Sequence, residues 1–321
     1  MAKLLCVLLV FLAIGDKAQA NIIDVNKPYT YEVFEHDLEQ MKEKYGGNLE
    51  TKIIGTTYFG KNIWGVKLGK GKKNIVLIGA HHGREWLTSL LLMKMLDTYA
   101  SSYVQEPKTT ALLNEVSIWF VPMLNPDGVA IQQHQLERFP PIYLQQLIMM
   151  NNGVINFERW KANGIGIDLN RQYPAGWNEL KGPRIPSYKL YKGKKPFEAK
   201  EVIALKNLIK EINPSIAVAY HTAGREIYWS YHNGAFRKRD HSLAKKIAIL
   251  TRYKLAKPPK DAMGGGFTDW FITAYRRPAL TIEICPLVGE TNPPLTMLKT
   301  EWKRNRLVGL KLAEEAKKIT D

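Results

Sequence analysis

The sequence is poor in cysteine, with two residues in 321, Cys6 and Cys285. Cys6 lies in an N-terminal segment that we expect to be removed, which leaves Cys285 without a partner for an intramolecular disulfide. A remaining chain of about 300 residues has a core large enough to hold without disulfides. We therefore expect a fold that depends on its apolar core.

Long apolar runs are absent after residue 20. The apolar stretch at residues 4–14 has eleven residues, which are too few to span a bilayer as a helix. It follows Lys3 and leads to the small-residue ending Ala18-Gln19-Ala20, which is the layout of a secretory signal peptide. We expect residues 1–20 to be a signal peptide that is cleaved after Ala20, with a retained anchor as the alternative. The protein is then secreted, either extracellular or associated with the cell wall, without stable membrane insertion.

Linkers, repeats and acidic residues are also scarce. No Ser/Gly linker, proline-rich spacer or internal repeat divides residues 21–321, so one domain is preferred over two. Without residues 1–20 the chain carries 44 basic and 29 acidic side chains, a net charge of +15. Such a charge favours polyanionic partners, of which an anionic cell envelope suits a secreted protein; plain solubility is the other explanation. Nucleic acid is not expected as a partner, because no helix-turn-helix, zinc finger or aromatic RNA-binding signature accompanies the charge.

Apolar runs rich in Val and Ile alternate with amphipathic segments rich in Lys and Glu. The predicted strands are residues 74–80, 116–125, 215–220 and 279–285, and the predicted helices are residues 87–102, 198–213, 241–255 and about 295–318. Strands that are apolar on both faces and separated by helices indicate a sheet covered on both sides, in the α/β class.

Polar residues gather at the ends of these predicted strands. Sites in open α/β sheets lie just beyond the carboxyl ends of the strands, so these residues are expected to meet. They are His81, His82 and Glu85 after the first strand, Asn125 and Asp127 after the second, His221 directly after the third, and Glu283 inside the last.

The residue types at these positions are those that hold zinc. Zinc in hydrolytic sites takes three protein ligands, commonly two His and one Glu, and keeps a position for water. The segment HHGRE offers either His82 with Glu85 or His81 with Glu85, and His221 offers a distant third ligand. The spacing is not that of the helical H-E-x-x-H motif. A polar turn that caps the next helix is the alternative.

Glu283 is the second anomaly, because it stands between Ile282 and Ile284 in an apolar strand. A carboxylate is expensive to bury without a partner. Glu283 therefore either meets an arginine in a structural salt bridge or lines a cleft as a general base.

Together these segments resemble the zinc metallocarboxypeptidases of the carboxypeptidase A-like family, over nearly the whole chain after residue 20 and in the family's order. The matching segments are HHGREW (81–86) for the metal motif, NPDG (125–128) for a structural loop, GIDLNR (166–171) for substrate binding, YHTAG (220–224) for the third ligand and LTIEIC (280–285) for the catalytic base.

The resemblance implies a three-layer α/β/α sandwich around a mixed, mostly parallel sheet of about eight strands. It also implies one zinc ion per chain, held by His82, Glu85 and His221, with water in the fourth position. The resemblance gives Glu283 the role of general base. The substrate's carboxylate would be bound by Asn170 and Arg171, and Arg84 of the metal motif is counted among the substrate-binding residues.

Two departures from the family pattern bear on the substrate. Lys161 stands where the family carries an arginine that stabilises the oxyanion, with Arg159 two residues away as the alternative. Counting back from DW (269–270) without gaps puts Asp261 where digestive carboxypeptidases carry a substrate-capping tyrosine. The same count puts Thr268 at the base of the side-chain pocket.

These departures argue against a digestive carboxypeptidase. The stretches YHTAGREIYW and GGGFTDWF are more similar to the bacterial branch that cleaves the γ-D-glutamyl–diamino acid bond of peptidoglycan stem peptides. Asp261 and Asp269 are candidates to meet the ammonium of such a substrate, and Arg171 to meet its carboxylate; loop capping is the alternative role of Asp269. The competing functions are a zinc carboxypeptidase that releases C-terminal residues from ordinary peptides and a non-catalytic cell-wall-binding protein.

Overall fold

The computed structural model describes residues 22–259 and 262–319, so the predicted signal peptide and Asp261 lie outside the described residues. The helices are α1 Tyr31–Tyr45, α2 Leu87–Gln105, α3 Pro107–Glu115, α4 Pro126–Gln132, α5 Tyr143–Met150, α6 Lys200–Ile212, α7 Arg237–Thr251, α8 Phe267–Tyr275, α9 Leu298–Asn305 and α10 Val308–Ala316. The strands are β1 Leu49–Thr56, β2 Asn62–Leu68, β3 Lys73–Ile78, β4 Val116–Val121, β5 Ile216–Thr222, β6 Glu226–Tyr228, β7 Lys254–Leu255 and β8 Ala279–Ile284.

The eight strands form one mixed sheet in the order β1-β2-β4-β3-β5-β8-β6-β7. β3 pairs in parallel with β4 and β5, and β5 pairs in parallel with β8. β2 joins this centre antiparallel at β4, and β6 joins it antiparallel at β8. The carboxyl ends of β3, β5 and β8 therefore lie side by side at one edge, as expected for a mostly parallel sheet.

Alternate side chains of the central strands pack into two separate apolar clusters, one on each face. Ile75 and Leu77 of β3 belong to the cluster with α1, α2, α7 and α10, whereas Val76 and Ile78 belong to the cluster with α6 and α8. Because a strand alternates its side chains between faces, both faces are covered by helices. The predicted three-layer α/β/α sandwich is confirmed. Across residues 22–259 and 262–319, no helix has the length and apolar character to cross a membrane.

Some elements differ from the predicted ones. β1, β2, β6 and β7 were not predicted, and the helix expected near 295–318 is two helices, α9 and α10. The helix expected at 241–255 begins at Arg237 and ends at Thr251, because Arg252 takes a left-handed conformation with φ of 58°. β5 continues to Thr222, so His221 lies inside the strand instead of after it.

Candidate metal centre and active site

The turn after β3 places two side chains beside His221 of β5. His82 Nδ1 lies 2.8 Å from Glu85 Oε1, and His221 Nδ1 lies 2.9 Å from Glu85 Oε2. The two Nδ1 atoms are 3.2 Å apart. All three residues are buried, and one ligand atom from each lies within 4.8 Å of the others. The structure thus brings together the three residues expected to bind zinc, in a group that could hold one metal ion.

Gly83 and Gly128 allow the turn after β3 to lie close to the NPDG loop. A Cβ on Gly83 would lie 2.3 Å from the carbonyl oxygen of Gly128, so the turn and the loop pack backbone against backbone. Asn125 holds the contact, because its side chain accepts from the N–H of Gly128 and donates to the carbonyl of His81. Asp127 accepts from the N–H of Phe59 on another loop. The NPDG loop therefore supports the site through Asn125, whereas Asp127 ties the loop to its neighbour, away from the metal group.

The surroundings of His82 fit a metal ligand. His82 Nε2 lies 3.2 Å from Oδ1 of the fully buried Asp168, so a neutral His82 that donates there turns the lone pair of Nδ1 toward Glu85. That lone pair is repelled by a carboxylate oxygen at 2.8 Å unless a proton or a cation lies between them. Two imidazoles and a carboxylate, with a second carboxylate behind one imidazole, are the donor set of zinc in hydrolytic enzymes. The residues present therefore fit one zinc ion.

The electrostatic setting keeps Glu85 and His221 in metal-binding protonation states. Burial would raise the pKa of Glu85, but His82 and His221 outweigh it and hold the pKa well below its usual range. Burial lowers the pKa of His221, against the opposing effect of Glu85. An ionised carboxylate and a neutral imidazole are the forms that bind a metal.

His81, the alternative partner of Glu85, lies outside the metal group. Its Nε2 is 3.3 Å from the hydroxyl of Tyr173, and its ring stacks on His221 with centroids 5.3 Å apart. Burial lowers the pKa of His81 well below its usual range. Of the two pairings left open by the sequence, the structure assembles His82 with Glu85.

Glu283 lies in β8 directly beside His221 of β5. Its neighbours Ile282 and Ile284 belong to the apolar cluster on the opposite face, so the carboxylate is not surrounded by them. Glu283 lines a cleft of about 140 Å³ together with the three residues of the metal group. Burial raises the pKa of Glu283 well above its usual range, and the carboxylate of Glu85 adds to the increase. Within the described residues Glu283 forms no salt bridge with an arginine. Of its two predicted roles, lining a cleft as a general base is therefore the one that the geometry fits.

Lys161 and Arg159 were the two candidates to stabilise the oxyanion. Lys161 lines this cleft. Its Nζ lies 3.8 Å from Asp168 Oδ2. Arg159 is held elsewhere: its guanidinium stacks over the ring of Tyr188 at 4.1 Å and donates to the side chain and carbonyl of Asn151. The geometry therefore favours Lys161 for a role in the cleft.

Asn170 and Arg171 line the same cleft from a short turn that Asp168 caps. Asp168 Oδ1 accepts from the N–H of Asn170 at 3.1 Å, and Asn170 Oδ1 accepts from the N–H of Phe267 at 3.0 Å. Burial would raise the pKa of Asp168, but Lys161, then His82 and Arg171, hold it well below its usual range. The buried carboxylate of Asp168 thus contacts both His82 and the turn that presents Asn170 and Arg171 to the cleft.

The remaining predicted residues also line the cleft, apart from Asp261, which lies outside the described residues. Thr268 Oγ1 is 2.7 Å from Thr281 Oγ1. Asp269 Oδ2 accepts from the N–H of Gly264 at 2.7 Å, so Asp269 caps the loop as well as facing the cleft. Burial raises the pKa of Asp269 to about 6. Arg84 pairs with Glu290 at 3.4 Å on the rim.

Asp168 and Tyr228 are parts of the site that the sequence did not predict. Asp168 lies within GIDLNR, and its contact with His82 depends on two segments 86 residues apart. Tyr228 of β6 lines the cleft and donates from its hydroxyl to Glu226 at 3.1 Å. Its position follows from the pairing of β6 with β8, which could not be predicted because β6 has three residues.

Comparison with known proteins gives the site a context. Residues 34–307 match the family model described as zinc carboxypeptidase. The chain is 28% identical over 303 residues to gamma-D-glutamyl-L-diamino acid endopeptidase 1 of Lysinibacillus sphaericus, covering 91% of this chain and 73% of that protein. It is 25% identical over 271 residues to human carboxypeptidase B, covering 79% of this chain and less than two thirds, 62%, of that protein. Among solved structures, thrombin activatable fibrinolysis inhibitor superposes with a TM-score of 0.74 at 17% identity, covering 95% of this chain and 78% of that one.

Proposed function

Because the chain belongs to the zinc carboxypeptidase family, we propose that it is a secreted peptidase that hydrolyses the γ-D-glutamyl–diamino acid bond of peptidoglycan stem peptides. The observation that carries the proposal is the mixed charge of the cleft, where the carboxylate of Asp269 and the guanidinium of Arg171 line the space beside the metal group. A diamino acid offers an ammonium and a carboxylate to match them. The similarity to a γ-D-glutamyl-diamino acid endopeptidase over 91% of the chain supports the same substrate class.

In this proposal His82, Glu85 and His221 hold the zinc ion. When bound, zinc polarises the scissile carbonyl and makes water more acidic. Glu283 accepts the proton of the attacking water and passes it to the leaving nitrogen.

Other cleft residues bind and orient the substrate. Lys161 stabilises the negative charge that develops on the carbonyl oxygen, as a point charge instead of a planar fork. Arg171 binds the carboxylate beyond the scissile bond with paired hydrogen bonds, and Asn170 assists. Asp269 meets the ammonium, and Thr268 forms the base of the side-chain pocket.

Export of the protein is part of the proposal. The signal-like residues 1–20 support secretion, and the net charge of +15 on the rest of the chain suits an anionic envelope. Amino-terminal sequencing of protein recovered outside the cytoplasm should begin at Asn21. Recovery of the full-length chain from the cytoplasm alone would remove this part of the proposal.

The substrate is tested by offering two classes of peptide to the purified protein. Defined muropeptides and blocked α-linked peptides are incubated with and without a chelator, and the products are identified by mass. We expect cleavage of the muropeptide after γ-D-glutamate, and none with the chelator. Release of C-terminal residues from the α-linked peptides, with muropeptides untouched, would instead support the second candidate, an ordinary carboxypeptidase, which the similarity to human carboxypeptidase B favours.

A further inference from the structure

A second surface, which shares no residue with the active-site cleft, exposes large apolar side chains. Ile142 and Met149 are each 76% exposed, Ile185 is 73% exposed and Tyr58 is 57% exposed. Tyr58, Met149 and Ile185 line one groove of about 540 Å³. Ile142 and Met149 are seven residues apart across α5, so they lie on the same side of that helix. We call these four residues the Ile185 surface.

The fold holds the Ile185 surface in place without burying it. The N–H of Ser187 donates to the carbonyl of Gly166 at 3.1 Å, and the N–H of Tyr188 donates to the carbonyl of Met150 at 2.9 Å. These bonds fix the segment that carries Ile185 against the end of α5, while the side chain stays in solvent. A cluster of exposed apolar side chains on a fixed backbone marks an interaction site.

Unpaired cations adjoin the Ile185 surface. A neighbouring groove is lined by Lys181, Arg184 and Lys194, and Lys194 lines both grooves. Across residues 22–259 and 262–319, these three side chains, all exposed, form no ion pair with an acidic group. Glu198 also lines the first groove, and its carboxylate accepts from the backbone N–H of Lys194 at 2.6 Å. The combined surface is therefore apolar at its centre and basic at one side.

We propose that the Ile185 surface docks on an anionic phospholipid bilayer. The side chains of Ile142, Met149 and Ile185 are about three-quarters exposed. Such side chains can insert into a deformable partner, such as the boundary between lipid headgroups and acyl chains. Lys181, Arg184 and Lys194 then lie at the level of the anionic headgroups, where each cation strengthens binding by roughly five-fold.

Other occupants fit the charges less well. A second copy of this chain would present the same two grooves, in which Glu198 is the one acidic side chain among the described lining residues, so it would offer few counter-charges to Lys181, Arg184 and Lys194. Docking on a bilayer places them against charges of the opposite sign. It is independent of the peptidase function and requires no zinc.

The test is co-sedimentation of the purified protein with vesicles made of equal parts phosphatidylglycerol and phosphatidylcholine, and with vesicles of phosphatidylcholine alone. We expect binding to the first and little to the second. The double variant Met149→Ser/Ile185→Ser should reduce the partition coefficient by about ten-fold or more, through lost apolar insertion. The double variant Arg184→Ser/Lys194→Ser should reduce it by about 25-fold, from two cations at the interface.

Matched variants on α7 separate this surface from the general basicity of the chain. Ile249→Ser removes an apolar side chain that is 70% exposed, and Lys238→Ser/Lys245→Ser removes two exposed cations. Both should bind vesicles as the parent does. The proposal is overturned if the α7 cation variant loses as much binding as Arg184→Ser/Lys194→Ser, if Met149→Ser/Ile185→Ser binds normally, or if the parent is a dimer that Ile185→Ser makes monomeric.

Discussion

Replacing Asp168 by asparagine tests how the protein tunes its metal ligand. Both carboxylate oxygens of Asp168 receive hydrogen bonds: Oδ1 accepts from His82 Nε2 and the N–H of Asn170, and Oδ2 accepts from the N–H of Leu190. Lys161 Nζ is a further 3.8 Å from Oδ2. Asparagine has one acceptor oxygen, so whichever way the amide turns, its NH2 group meets a donor.

The structure sets the size of the effect. A buried donor left without an acceptor costs about 1–3 kcal/mol of stability. Loss of the carboxylate behind a metal-binding histidine weakens metal binding by about 10–100-fold, which is about 1.4–2.7 kcal/mol. We therefore expect Asp168→Asn to fold with reduced stability and to bind zinc at least ten-fold more weakly.

Zinc affinity is measured by competition with a chromophoric chelator, and stability by thermal unfolding of the metal-free protein. Asp127→Asn is the matched control, because Asp127 is equally buried and accepts from the N–H of Phe59 and from Lys61, away from the metal group. The control should lose stability and keep its zinc affinity within about two-fold. Equal zinc affinity for Asp168→Asn and the parent, or an equal loss in the control, would refute the reasoning.

Three further variants probe separate parts of the account. His221→Ala removes one of three ligands and should leave the purified protein nearly free of zinc by elemental analysis; a full complement of zinc would show that the ligand set is wrong. Glu283→Gln should keep its zinc while kcat falls by about 10²–10⁴-fold with little change in KM, and near-normal turnover would move the general base elsewhere. Burial raises the pKa of Glu201 from 4.5 to about 7, so the stability contributed by its protonated form is complete below pH 4.5 and lost as the pH rises to about 7. Glu201→Gln should abolish up to about 3 kcal/mol of this pH dependence in denaturant titrations, and Glu211→Gln, on the exposed side of the same helix, should leave it intact.

The central strands could be predicted because their apolar pattern is local, and the metal group because several spaced segments of the sequence resemble those of one enzyme family. β3, β4, β5 and β8 are mostly apolar and place side chains in both apolar clusters, which is typical of strands covered on both faces. β1 has a mixed sequence and a half-exposed pattern at the edge of the sheet, so its periodicity is weak. Edge strands and three-residue strands depend on pairing with distant segments, which local patterns do not encode.

The choice between neighbouring candidates required tertiary structure. Lys161 and Arg159 are two residues apart and carry the same charge, so the sequence could not decide between them. The structure decides, because Tyr188 and Asn151 hold Arg159 away from the cleft. The unusual position of Glu283 between two isoleucines has a local explanation, since alternation along β8 puts the isoleucines on the other face. That alternation was already present in the sequence.

The central claim is that a zinc ion at the His82, Glu85 and His221 group, with Glu283 as base, cleaves the bond after γ-D-glutamate. The most direct measurement is the mass of the products formed from the tripeptide L-alanyl-γ-D-glutamyl-diamino acid. We predict the dipeptide L-alanyl-D-glutamate and the free diamino acid, formed by the zinc-loaded parent and by neither the chelated protein nor Glu283→Gln. An intact tripeptide after prolonged incubation with the zinc-loaded parent, or equal cleavage by Glu283→Gln, would contradict the account.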